Sequence, residues 1–263
     1  MPYRIDAQIS IPQALNSLLD LGALDVEVTP DGIAAIIPDH VTPADVACAL
    51  GISEVAASPA VRRDSGSIWL LNPRAIRIAN LIIAPPEIDA PPQALRLIDS
   101  GAFGSGHHPT TSLCIEALED AFCNAAPEKI LDVGTGSGIL ALAALKMGTQ
   151  FAVGVDIDNI ALEIATRNAQ LNRLSDRLQL ILGGPEIVKG SFPIVVANVL
   201  AAPLIEMAPT IVQRIHSHGR LILSGIADTL AAEVRQTYEH LGTRFIHSHQ
   251  RAGWTLLVFQ ASW

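Results

Sequence analysis

Residues 129–140, Lys129-Ile130-Leu131-Asp132-Val133-Gly134-Thr135-Gly136-Ser137-Gly138-Ile139-Leu140, decide how this chain folds. Ile130 to Val133 reads as a buried strand and Ile139 to Met147 as a helix, with three glycines in the turn between them. Glycines carry no Cβ and a helix start offers free N–H donors, so strand, turn and helix together make a backbone surface that a ligand can approach closely. The spacing is G-x-G-x-G. A dinucleotide fingerprint, G-x-G-x-x-G, requires glycine at position 139, where this chain has Ile. The next strand, Phe151 to Asp156, ends on a carboxylate eighteen residues after Gly138, placed to accept both ribose hydroxyls of an adenosine. Asp158 is the better candidate to cap the following helix. Asp132 has two readings, an anchor for a ligand amino group or a hydrogen-bond partner for the turn itself.

Downstream the alternation continues: helix Asn159 to Asn172, strand Leu178 to Leu182, strand Ile194 to Asn198, helix Ala202 to Ile215, strand Leu221 to Ser224 and helix Thr229 to Leu241. This is the pattern of a doubly wound α/β sheet. The chain then closes with two consecutive strands, Arg244 to His249 and Trp254 to Gln260, joined around Ala252-Gly253. Strands with no helix between them form a hairpin, which puts an antiparallel strand into an otherwise parallel sheet. The expectation is an α/β, Rossmann-like class I methyltransferase sheet of seven strands, its last pair antiparallel. Such an ending is uncommon in dehydrogenases.

Two further stretches point to the same ligand. Gly101-Ala102-Phe103-Gly104-Ser105-Gly106-His107-His108-Pro109-Thr110-Thr111 is a glycine-rich loop running into an amphipathic helix, Ser112 to Phe122. It can deliver hydroxyls and N–H groups to a cofactor, with Thr111 best placed and Phe103 and Gly106 in the same loop. Adjacent His107 and His108 have no carboxylate or cysteine at ligand spacing, so no metal is expected. At the end of the fourth strand stands Asn198-Val199-Leu200-Ala201-Ala202-Pro203. Open α/β sheets bind ligands beyond the carboxyl ends of their strands, which aims Asn198 at the reacting centre. Its carbonyl oxygen could accept from a substrate amine; the alternative is a cap for the next helix. Enzymes that methylate planar amides or adenine place an aromatic residue where this chain has Ala201, so an aliphatic amine fits better.

Residues 1–64 read as a small α+β unit of order β-α-β-β-α-β, a ferredoxin-like arrangement. Thr29-Pro30-Asp31-Gly32 is its predicted hairpin turn, and Thr42-Pro43-Ala44-Asp45 starts its second helix. Nine acidic residues face three basic ones there, within a chain of net charge −9, which makes this unit a candidate docking surface for a cationic partner. Residues 65–100, punctuated by prolines, read as a linker with short strands around Ile76 to Ala84, and 101–263 as the catalytic domain. The acidic balance argues against a general nucleic-acid grip. No run approaches the roughly 18 apolar residues of a membrane span, and Met1 to Asp6 has no secretory pattern. Cys48, Cys114 and Cys123 form no C-x-x-C pair, which suits the cytoplasm and a protein without structural disulfides. A monomer is expected.

The stretches A-F-G-S-G-H-H-P-T-T, D-V-G-T-G-S-G-I-L-A-L-A-A-L-K-M-G, G-V-D-I-D and N-V-L-A-A-P-L resemble the ribosomal protein L11 methyltransferase family from about Gly101 to the end. The resemblance implies S-adenosyl-L-methionine as cofactor, with Thr111, Gly134, Asp156 and Asn198 at the family's binding positions. It implies methylation of lysines and the N-terminal amine of that ribosomal protein, a substrate recognised through the small domain. The chain departs from the family pattern at Ser105, usually Thr, at His107, usually not His, and at Ala202, usually Gly. The first 100 residues match only in layout. A related branch methylates the electron-transfer flavoprotein β subunit. Rival readings are a small-molecule or nucleic-acid methyltransferase, a non-catalytic cofactor-binding module, and a nicotinamide-dependent oxidoreductase. The glycine spacing and the closing hairpin disfavour the last of these.

Overall fold

The computed structural model describes residues 1–9, 11–29, 32–60, 72, 74–98, 106, 108–123 and 125–263, with backbone alone at 11–13 and 28–29. These residues divide into two compact units, Met1–Pro73 and Arg74–Trp263.

In the first unit the order is β1 (Tyr3–Ala7), α1 (Ile11–Asp20), β2 (Asp25–Thr29), β3 (Gly32–Ile37), α2 (Pro43–Leu50) and β4 (Ala56–Pro59). The four strands form one antiparallel sheet, β2-β3-β1-β4, the ferredoxin-like topology expected. Of the predicted hairpin turn, positions 30 and 31 lie outside the described residues. Ile5, Leu18, Ile33, Ala35, Ile37 and Val46 make the core between sheet and helices. The start of α2 is fixed by a reciprocal cap: the Asp45 N–H donates to Thr42 Oγ1 at 3.2 Å and the Thr42 N–H to Asp45 Oδ2 at 2.9 Å, with Pro43 in the first turn.

The second unit opens with a three-stranded sheet: β5 (Ile76–Ile78), β6 (Leu81–Ala84) and β7 (Leu95–Arg96). There follow α3 (Pro109–Ala121), β8 (Lys129–Val133), α4 (Ile139–Lys146), β9 (Phe151–Asp156), α5 (Asn159–Leu171), β10 (Leu178–Leu182), β11 (Phe192–Asn198), α6 (Ala201–Gln213), β12 (Ile215–Ala227), α7 (Ala231–His240), β13 (Thr243–Arg251) and β14 (Trp254–Ala261). The large sheet has the order β10-β9-β8-β11-β12-β14-β13. Its first five strands are parallel, and β14 runs antiparallel to both β12 and β13. The seven-stranded sheet with a closing hairpin is therefore present. The order reverses between β8 and β11, so the crevice at this switch point lies beyond Val133 and Asn198.

Strand periodicity sorts the core into two layers. Ile130, Ala152, Ile194, Val196, Ile222, Leu256 and Val258 face α3 and α4, while Leu131, Val133, Val153, Val195, Leu221, Leu257 and Phe259 face α6 and α7. Helix α4 is buried at every position from Ile139 to Leu145, as a helix apolar all round must be.

Three sequence boundaries shift. The unit division falls between Pro73 and Arg74, and part of the stretch expected as a linker belongs to the larger unit: Ile78, Leu81, Ile83, Leu95 and Leu97 are buried in its core. Their apolar side chains need a partner, and the α3–α4 layer supplies it. Helix α3 begins at Pro109 rather than Ser112, because His108 caps it and proline fits the first turn. Strand β12 begins at Ile215, which is buried and pairs with Phe192, rather than at Leu221. The register shifts across Pro193, which has no N–H to donate.

Tyr238 illustrates how α7 is fastened. Its side chain is fully buried against Phe259, and its hydroxyl donates to the Leu204 carbonyl at 2.8 Å. Tyr238→Phe should cost about 1 kcal/mol of stability in urea denaturation; an unchanged midpoint would show the hydroxyl contributes nothing to the α6–α7 packing.

Candidate functional site

The turn after β8 is held by the end of β9. The N–H groups of Gly134 and Thr135 both donate to the Val155 carbonyl at 2.9 Å, and the Gly136 N–H donates to Asp156 Oδ2 at 2.8 Å. Gly134, Gly136 and Gly138 have φ of 69°, 55° and 81°, which L side chains rarely adopt. Space excludes a side chain at 134 as well, since a Cβ there would run into the side chain of Val199. From the other side, a Cβ on Gly225 would lie 2.7 Å from the Val199 carbonyl carbon and 3.0 Å from its nitrogen. Val199 is thus gripped between the β8 turn and the irregular stretch of β12, which fixes Asn198 one residue before it.

Asp132 lies beneath the turn with no solvent exposure. Its Oδ2 accepts from Thr135 Oγ1 at 2.7 Å and from the Ala141 N–H at 3.1 Å, while Oδ1 has no partner. Burial pushes its pKa up to about 7, with the charge of Asp156 adding to the rise and the two hydrogen bonds opposing it. One oxygen therefore serves the turn and the other is a buried, unmatched acceptor. Asp156 stands at the tip of β9, where its Oδ1 accepts from the Asp158 N–H at 3.0 Å. Asp158 caps α5, accepting from Ile160 N at 2.8 Å.

On the other side of the crevice, Asn198 is 8% exposed, its Nδ2 donates to Thr111 Oγ1 at 3.5 Å, and its Oδ1 is buried without a partner. It does not cap α6, whose cap position is Leu200. Thr111 sits fully buried in the first turn of α3, inside the helix rather than in the loop before it. Gly106 is buried, and a Cβ on it would meet Ile76, Ile83 and Ile139 side chains at 3.0–3.4 Å. Phe103, Ser105 and His107 lie outside the described residues.

Sequence reasoning passed over two neighbours. His108 caps α3 through Nδ1, which lies 2.7 Å from Thr110 Oγ1 and 3.4 Å from its amide nitrogen, and its ring meets Trp254 edge-on at 5.2 Å. Trp254 begins β14 opposite Ala227, at the same end of the sheet as Asn198. The closing hairpin is further tied to α3 by Arg251 and Glu116, paired through two 3.0 Å bonds. A histidine directly before Pro109 was the available signal for the cap. Nothing local marks Trp254. Among the described residues no group of three or more His, Cys, Asp or Glu is placed to hold a metal, and no helix is long and apolar enough to cross a membrane.

The sheet order, the glycine turn at its switch point and the acidic β9 tip define a class I methyltransferase fold. The family described as Ribosomal protein L11 methyltransferase matches residues 64–262, and the chain belongs to that family. A Ribosomal protein L11 methyltransferase of Pelobacter propionicus is 34% identical over 219 residues, 80% of this chain and 71% of the relative. One from Yersinia pseudotuberculosis is 44% identical over 175 residues, 65% of this chain and 59% of the relative. The chain thus spans about 60 to 70% of the length of these curated relatives. The crystal structure of a ribosomal protein L11 methylase from Lactobacillus delbrueckii subsp. bulgaricus superposes with a TM-score of 0.65 at 30% identity, covering 70% of this chain and 97% of that one.

Asp132 makes the site's contribution to stability pH-dependent. A carboxyl raised to about 7 in the fold, from roughly 3.9 when unfolded, holds its proton more tightly folded. Its stabilising effect is complete below about pH 4 and is lost as pH rises to about 7. Asp132→Asn can keep both acceptor contacts while removing the titration. Between pH 5 and 8, wild type should lose on the order of 2–3 kcal/mol more stability than the variant in urea denaturation; parallel pH profiles would refute the raised pKa.

Proposed function

We propose that this chain is an S-adenosylmethionine-dependent protein N-methyltransferase whose substrate is ribosomal protein L11. The observation that carries the reading is the buried, unpartnered Oδ1 of Asn198, at the switch point beside Thr111 and across from the Asp132–Gly138 turn. The residues fit the cofactor. Asp156 would take the ribose hydroxyls, the backbone of 134–138 the methionine portion, and the unpartnered Oδ1 of Asp132 the cofactor's ammonium group; Phe103 and Gly106 join the proposed set on their sequence alone. When bound, the cofactor supplies an electrophilic methyl group on a sulfonium.

The protein's part is positioning and desolvation. Asn198 Oδ1 accepts an N–H of the neutral acceptor amine and so orients its lone pair, while Thr111 holds the carboxamide from behind. Fixing both reactants in line supplies effective molarity without a covalent enzyme intermediate. A lysine with an ordinary pKa near 10.4 must first lose its proton, which the apolar surroundings favour. In this reading water takes the proton. The acidic residues 1–64 are the proposed recognition domain, suited by charge to a basic ribosomal protein.

Incubation of the chain with methyl-labelled cofactor and purified large-subunit ribosomal proteins should put label on L11. Label on a different protein would refute the substrate, and no transfer to any protein would refute the activity. Asn198→Ala should lower kcat on the order of 100-fold with cofactor affinity within a few-fold of wild type; near-normal turnover removes Asn198 from the mechanism. Asp156→Ala should weaken cofactor binding by about tenfold or more in calorimetry, and unchanged affinity would dismiss the ribose assignment.

A further inference from the structure

With Gly138 at the N-cap of α4, Ala141 is the third residue of the helix, and its N–H has no carbonyl within the helix to bond; the first such bond runs from Leu142 N–H to the Gly138 carbonyl at 2.9 Å. Asp132 Oδ2 takes the Ala141 N–H at 3.1 Å, and the Ser137 carbonyl, just outside the helix, accepts from Nδ2 of Asn168 at 2.8 Å. Two fully buried side chains thus fix the start of α4 and the turn before it, on either side of the left-handed Gly138. Helix α5, which carries Asn168, supports the turn a second time, because a Cβ on Gly138 would come within 3.1 Å of the Ala165 methyl.

Asn168 also reaches the opposite way. Its Oδ1 accepts from the Ile98 N–H at 2.9 Å. One turn further along α5, Asn172 does the same for the residue two before, accepting from Arg96 N at 2.9 Å and donating to Arg96 O at 2.6 Å. Leu97, between them, donates to Ala84 of β6 at 3.1 Å. The chain at 96–98 therefore behaves as a strand whose inner edge pairs with β6 and whose outer edge pairs with two carboxamides projecting from a helix. Asn168 stands in the last turn of α5, where its propensity is poor, and Asn172 is the residue that caps the helix.

We propose that Asn168 is a positioning residue for the cofactor: it holds the 136–138 backbone open and in register with the 96–98 strand, while Asn172 serves the strand alone. This rests on the cofactor reading above. Without the Asn168 donor, the 136–138 backbone loses the bond that ties the Ser137 carbonyl to α5.

The test separates positioning from simple stability. Asn168→Asp keeps volume and the Ile98 acceptor and loses only the donor to Ser137. Asn172→Asp is the matched change one turn away. Asn168→Ala serves should the buried carboxylate prevent folding. Calorimetry with S-adenosylmethionine should show affinity falling about tenfold for both Asn168 variants, as expected for one lost buried hydrogen bond. The cofactor KM should rise with kcat changed less than about threefold, and Asn172→Asp should lower Tm yet bind within about twofold of wild type. Amide exchange in the cofactor-free chain should quicken at Gly136 and Gly138 in the Asn168 variants alone. Affinity within twofold of wild type in both Asn168 variants overturns the proposal, as does an equal loss in Asn172→Asp. Wild type that fails to bind S-adenosylmethionine would defeat the cofactor reading instead, and the exchange measurement would still decide the role of Asn168.

Discussion

No side chain fits at position 134, and the rest of the site follows from that constraint. The turn after β8 and the residue after β11 meet at the reversal of strand order, and Val199 occupies the space a Cβ would need. Gly225 in β12 closes on Val199 from the opposite side. Three neighbouring strands therefore set the position of one dipeptide, Asn198-Val199, with a side-chain hydrogen bond from Asn198 to Thr111 beside them. Packing of this kind is stiff, because protein interiors leave little room to relax. A carboxamide fixed this way can direct an incoming group at little entropic cost.

Much of this was legible in the sequence, and the reasons are specific. The short, nearly continuous apolar runs 130–133, 151–156 and 194–198 read as strands buried on both faces, and the glycine spacing disfavoured the dinucleotide turn. The hairpin around Ala252-Gly253 announced itself by the lack of any helical segment between two strands. What stayed hidden was long-range. Asn168 lies 31 residues from Ser137 and 70 from Ile98, and an asparagine inside a helical pattern carries no local mark of either partner. The stretch 74–98 looked like a connection because its strands are only two to four residues long. Its place in the larger unit depends on α3 and α4, which come later in the chain.

The hydrogen-bond state of the crevice bears on what it binds. Among the described residues its buried side-chain atoms without partners include Asp132 Oδ1 and Asn198 Oδ1, both acceptors, one on each side of the switch point. Leaving a buried acceptor unmatched costs about 1–3 kcal/mol. Asp132 lessens that cost by holding a proton below about pH 7, which converts its free oxygen into something closer to neutral. A ligand carrying donors, and above all a cationic one, would match such oxygens. A ligand of acceptors and negative charge would not. The buried carboxyl that makes the crevice less stable at high pH thus favours positively charged, donor-rich groups over anionic ones. Burial also explains why both acceptors stand on strands rather than loops: a group kept unmatched must be held where it cannot turn aside to find water.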